Sequence, residues 1–115
     1  MGTDLKNAIG FGLLLFGILI VTGIIVWIFS PKKINHWYGY RTPKSMKSIE
    51  NWNIANAYSA RVLVLSSLAI APIYFVLIFY IDLSKQPFPL IAVGLTILIA
   101  LLTIILTERK LKRMK

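Results

Sequence analysis

The sequence has no cysteine and a single histidine, His36. The first absence excludes disulfides, thiolate metal sites and a cysteine nucleophile. The second excludes a multi-histidine metal site within one chain, so no metal or other cofactor is expected. Charge is scarce too. Only 15% of the 115 residues are Asp, Glu, Lys or Arg, and none of them lies inside the long apolar runs. Proton-coupled transporters place ionisable groups within their spans, so their absence here argues against that class.

What is abundant is hydrocarbon. Apolar residues make up 57% of the chain, and the mean hydropathy is +0.75. A soluble domain of this size would have to expose large apolar patches. Three uncharged runs stand out, at residues 9–29, 62–81 and 88–107. At about 1.5 Å per residue, ~20 helical residues cross a hydrocarbon core of ~30 Å. Backbone groups in lipid must be bonded within their own segment, so the runs are expected to be helical despite many β-branched residues. The first run is longer than the apolar region of a cleaved signal peptide and has no clear small-x-small cleavage site. It is expected to stay as a span.

The basic residues set an orientation. With three spans, the N-terminus and the 82–87 turn share one side and hold two basic residues, Lys6 and Lys85. The loop 30–61 and the tail 108–115 share the other and hold eleven: Lys32, Lys33, Arg41, Lys44, Lys47, Arg61, Arg109, Lys110, Lys112, Arg113 and Lys115. The positive-inside rule puts the N-terminus outside the cell membrane and the loop and tail in the cytoplasm. The net charge of +9 would suggest nucleic acid in a soluble protein. Beside apolar runs, membrane lipid headgroups are the expected partner and no direct nucleic-acid contact is needed.

Within the spans, a turn of six residues makes the second and third antiparallel neighbours. Pro89 suits a first helical turn, and Pro72 predicts a kink whose freed backbone Ser66 and Ser67 could satisfy. Small residues mark candidate seams: Gly10 and Gly17 on the first span, Ser67 and Ala71 on the second, and Ala92, Thr96, Ala100 and Thr103 on the third. Ordinary packing within the chain explains them; a homo-oligomer interface is the alternative.

The stretch 31–61 is longer than a connection needs. Trp37, Tyr38 and Tyr40 are rings suited to headgroup depth, either as an anchoring belt or as part of a recognition surface. Gly39 between two tyrosines fits a tight turn. Arg41 offers a planar fork for phosphate or carboxylate. Thr42 is a good N-cap and Pro43 a good first helical residue, and Met46, Ile49 and Trp52 recur every three residues. This predicts a short amphipathic interfacial helix, either resting on headgroups or closing a cytoplasmic pocket over Arg41. Asn51, Asn53 and Asn56 could cap, bond loop backbone or face a cavity. The acid–base candidates His36, Glu50, Tyr38 and Tyr40 lack an orienting partner in sequence, so catalysis is not expected. The expected architecture is thus an all-α membrane protein, a single membrane domain over residues 1–115, with three transmembrane helices and one interfacial helix.

The order Lys33-Ile34-Asn35, Tyr38-Gly39-Tyr40-Arg41-Thr42-Pro43, Ser45-Met46-Lys47, Trp52 and Ala55-Asn56 resembles the motif of the SdpI family, and the flanking spans are similar to those of its short three-helix members. That family is named for an immunity protein against the sporulation-delaying toxin of bacilli. The resemblance implies binding through Asn35, Tyr38, Gly39, Tyr40, Arg41, Thr42, Ser45, Met46, Lys47, Trp52 and Asn56. It further implies immunity against, or sensing of, a membrane-active toxic peptide, with a small cytoplasmic repressor as a second partner. The alternative class is a small oligomeric transporter or channel.

Overall fold

The computed structural model of the protein describes residues 2–35, 37–83 and 87–113. Three helices build it: α1 (Gly2–Ile28), α2 (Ile49–Tyr80) and α3 (Phe88–Arg113). All three are long and apolar enough to cross a membrane, and no strand occurs among the described residues. Large side chains such as Leu13, Leu14, Leu65, Phe79, Leu90 and Ile97 point outward and are exposed. In water that surface would be an aggregation liability, whereas lipid solvates it. This is the surface of a multi-pass membrane protein.

Each helix overruns its apolar segment. α1 starts at Gly2, α2 starts at Ile49 rather than near Val62, and α3 continues to Arg113. The early start of α2 removes the expected interfacial helix. The backbone N–H of Met46 donates to Thr42 O at 3.0 Å, and that of Ser45 donates to Thr42 Oγ1 at 3.2 Å. Thr42 therefore caps one turn, and the helical line stops there. Ser48 is extended (φ −153°, ψ 162°) and caps α2, accepting from the N–H of Asn51. Met46 and Trp52 thus belong to two different pieces, a single turn and the first turns of α2. A three-residue spacing cannot distinguish that arrangement from one continuous helix.

α2 packs against both other helices, while α1 and α3 meet only sparingly. At the end away from the 31–48 loop, the core is aromatic. The Tyr74 ring lies 5.4 Å from Phe16 and 5.3 Å from Phe75. Its hydroxyl donates to Ala8 O at 2.7 Å, a carbonyl on α1. Tyr74 can lie across α1 because Gly12 leaves the space: a Cβ there would overlap the Tyr74 ring. Gly23 plays the same part against Val64. The expected seam residues Gly10 and Gly17 instead face open space. Gly12 and Gly23 are eleven residues apart, about three helical turns, and so share a face. On α3, Ala92 and Thr103 are buried as expected, but Ala100 is exposed, and the buried line continues through Ile99, Thr107 and Leu111. α2 runs unbroken across Pro72. Ser66 donates to Val62 O and Leu63 O, not to the Leu68 carbonyl that the proline frees.

Substituting Gly12→Ala is expected to destabilise the bundle by about 1–3 kcal/mol through overpacking against Tyr74. Gly17→Ala should be neutral or slightly stabilising, since alanine is the better helix former. Unfolding of the purified protein in mixed detergent micelles checks both. Equal effects at the two positions would overturn the assignment of the seam.

Candidate functional site: a loop tied to three helix ends

Residues 31–48 fold back over one end of the bundle and bond to all three helices. Polar side chains typical of turns carry most of this. Asn35 Oδ1 accepts from the N–H groups of Trp37 (3.0 Å) and Tyr38 (2.7 Å), and its Nδ2 donates to Lys33 O. This Asx-type turn reverses the chain just after α1. The Tyr38 hydroxyl donates to Phe29 O at 2.8 Å, which ties the loop to the end of α1.

α2 supplies the second tie. Trp52 is fully buried, and its indole Nε1–H donates to Pro31 O at 2.7 Å. Asn56 is fully buried one helical turn later. Its Oδ1 accepts from the N–H of Tyr40 at 2.7 Å, and its Nδ2 donates to Trp52 O at 2.9 Å. Gly39 sits between these contacts with φ +99°. A Cβ there would meet Asn56 Oδ1 and the Pro31 ring. The position therefore needs glycine twice over, for its left-handed backbone and for the close approach. Asn51 Nδ2 donates to Lys44 O at 3.0 Å and holds the single turn against the start of α2.

α3 supplies the third tie through Glu108. Its Oε2 accepts from the Tyr40 hydroxyl at 2.7 Å and from the Thr42 hydroxyl at 2.8 Å. Ser45 closes the local network: its Oγ accepts from the N–H of Thr42 at 2.8 Å and donates toward Thr42 O. Burial, then the hydrogen bond to Glu108 and its negative charge, push the Tyr40 phenol well above its ordinary value of about 10. Tyr40 is thus held as a neutral donor to an ionised acceptor, a charge-assisted bond stronger than one between neutral groups.

Beneath this loop lies a groove of about 270 Å³, lined by residues of all three helices and by the loop itself. Trp37, Tyr38, Gly39 and Tyr40 form its roof, Thr22 and Val26 its α1 wall, and Ser59, Ala60, Leu63 and Thr103 the remainder. The sparse contact between α1 and α3 leaves room for it.

The structure brings most of the sequence-predicted site residues together and divides them by task. Asn35, Thr42, Ser45, Trp52 and Asn56 spend their polar atoms on the loop's own architecture. Tyr38, Gly39 and Tyr40 both hold the loop and face the groove. Arg41 and Lys47 are exposed, Met46 is half-buried, and none of the three lines the groove. The groove is therefore not a pocket over Arg41, which does not line it. His36 lies outside the described residues. Sequence reasoning missed Glu108, which it placed only at the end of a span, and the groove residues Thr22, Ser59 and Thr103. A lone acid among the tail's cations and the hydroxyls of Thr22 and Thr103 in apolar runs were the available signals; Ser59 lies outside those runs.

A family model described as the SdpI/YfhL protein family matches residues 32–107, from the loop into α3. The chain is 40% identical over 106 residues to "Uncharacterized protein YfhL" of Bacillus subtilis (strain 168), an alignment covering 90% of this chain and 87% of that protein. No solved structure matches. The motif residues that tie the loop down lie within the matched region, and the chain belongs to the SdpI/YfhL family.

Proposed function

We propose that this protein binds a membrane-active peptide at the groove under the loop, and thereby confers immunity to it or senses its presence, without catalysis. The carrying observation is the groove itself: a largely apolar space roofed by aromatic residues and lined by all three helices. Its volume is near the lower end of the ~300–1,000 Å³ of small-molecule sites, so it suits one or two anchoring side chains rather than a whole helix. The polar residues that line it are hydroxyl-bearing, Thr22, Ser59, Thr103 and the tyrosines. The Tyr38, Tyr40, Ser59 and Thr103 hydroxyls already donate within the protein, so they are left mainly as acceptors, which suits recognition and not proton transfer near neutrality. The loop end, with eleven of the thirteen basic residues, faces the cytoplasm in this reading.

The test fills the groove. Thr22→Trp should block it, whereas Val21→Trp points to lipid from an exposed position outside the groove. In a peptide-sensitive bacterial host challenged with a panel of membrane-active peptides, wild type and Val21→Trp should protect against at least one peptide. Thr22→Trp at equal expression should not. Direct contact is read from Trp37, which is 82% exposed at the groove rim: the protecting peptide should shift its emission to the blue. Protection by Thr22→Trp equal to wild type would remove the groove from the proposal. Failure of the wild type against every peptide would remove immunity.

A further inference from the structure

A second cleft lies on the outer side of the same end, between α2 and α3, and plays no part in the groove. Its walls are Tyr58, Leu106, Arg109, Lys110 and Arg113, around a space of about 130 Å³. That is several times the room one water needs. The four α3 residues are spaced i, i+3, i+4 and i+7, so they share one face of the helix. Tyr58 faces them from α2, with Lys110 Nζ over its ring at 6.0 Å from the centroid.

Three cations therefore converge on one small space, and their repulsion calls for an anion. Among the described residues, no acidic side chain lines the space. Glu108 is adjacent in sequence, but its Oε2 is turned to the loop, where Tyr40 and Thr42 donate to it. The aromatic contact of Lys110 aside, no ion pair of Arg109, Lys110 or Arg113 forms among the described residues. The first cation of the cleft, Arg109, lies two residues past Thr107, where the apolar run of α3 ends. That is headgroup depth, with Leu106 forming the side toward the hydrocarbon.

We infer that this cleft is a binding site for the phosphate of an anionic phospholipid in the leaflet at the loop end. The Arg109 and Arg113 guanidinium groups offer planar forks matched to phosphate oxygens. Lys110 contributes a point charge held in place by the Tyr58 ring, and the Tyr58 hydroxyl is a further donor. Leu106 packs along the first carbons of the acyl chain. The site is separate from the peptide groove, so it stands whether or not peptide binding does.

The experiment reconstitutes the full chain in dioleoylphosphatidylcholine with a trace of spin-labelled phosphatidylglycerol or spin-labelled phosphatidylcholine, and compares their motionally restricted fractions. The wild type should prefer phosphatidylglycerol on the order of tenfold. Arg109→Gln with Arg113→Gln, both at exposed helix positions, should bring the preference to within about twofold. Lys44→Gln with Lys47→Gln, equal in charge removed but outside the cleft, should leave it intact. Helical circular dichroism and thermal unfolding, unchanged across the variants, confirm that the fold is kept. Millimolar inorganic phosphate should compete weakly for the same cleft. An equal loss in both double variants would overturn the site in favour of diffuse surface attraction, and no preference in the wild type would overturn it outright. Phosphate binding that depends on Arg109 and Arg113 without any lipid preference would reassign the cleft to a soluble phosphate and overturn the lipid source.

Discussion

Trp52→Ala will open the 31–48 loop while leaving three helices in the membrane. Truncating a fully buried tryptophan typically costs about 3–5 kcal/mol, and here the loss falls on one interface. Trp52 fills the space between α2 and the chain leaving α1, and its Nε1–H is the hydrogen-bond partner of Pro31 O. The effect is local because the Phe16–Tyr74–Phe75 core at the opposite end does not involve it. Trypsin gives the readout, since Lys32, Lys33, Arg41, Lys44 and Lys47 all lie in the loop. Where opening is fast relative to cleavage, the rate follows the local opening equilibrium. A loss of that size then speeds cutting by roughly a hundredfold or more. Trp52→Phe keeps much of the bulk but orphans the Pro31 carbonyl, so it should fall between wild type and Trp52→Ala, at about 1–3 kcal/mol. Trp27→Ala, at a half-exposed position on α1, should leave loop cleavage unchanged. A Trp52→Ala protein cut no faster than wild type would show that the loop is held by something else.

Gly39→Ala should produce the second large effect through a different cause. The backbone there has φ +99°, a region that costs a residue with a Cβ about 1–3 kcal/mol. The added methyl also collides with Asn56 Oδ1 and the Pro31 ring. Asn56 must move, and the N–H of Tyr40 loses its acceptor. Hydrogen exchange at the Tyr40 amide is the direct measurement, with an expected increase of roughly ten- to a hundredfold. Asn56→Ala removes the same acceptor from the other side. The two substitutions share one interaction, so their combined effect should be well short of the sum of the single effects. Additive effects, or unchanged exchange in Gly39→Ala, would contradict the geometry described for this turn.

How much of this was legible in the sequence depends on the kind of signal each feature leaves. The three spans were, because an uncharged run of ~20 residues has few other solutions. Their ends were not. α2 carries Asn51, Asn53, Asn56 and Arg61 within its first turns, and that polarity hides their continuity with the span until Asn56 is seen to be buried and bonded to the Tyr40 backbone. The expected interfacial helix failed at Ser48, whose capping geometry resets the chain between two apolar residues that look periodic. The seam on α1 was expected at Gly10 and runs through Gly12, and a two-residue step turns a helix by about 200° to nearly the opposite face. Glycine at 39 was legible as a turn; that Asn56 is what it must approach was not. The bond from Tyr40 to Glu108 joins residues 68 apart, and no pattern of composition or spacing foretells such a pair. The motif order did mark the segment that is bonded to the helix ends, because the residues that hold a loop by side-chain bonds are the same few polar types wherever loops are tied down.

α2 has one further consequence. Its 32 residues measure about 48 Å as a helix, against ~30 Å of hydrocarbon. The surplus stands clear of the bilayer core on the loop side, and the Trp52 and Asn56 fastenings are on that projecting part. One stiff rod is therefore both the passage through the lipid and the mast to which the cap is lashed. Helices longer than their bilayer tilt as it thins, so a leaning mast would swing the cap as a unit. Membrane thickness becomes a mechanical input to the geometry at the rim.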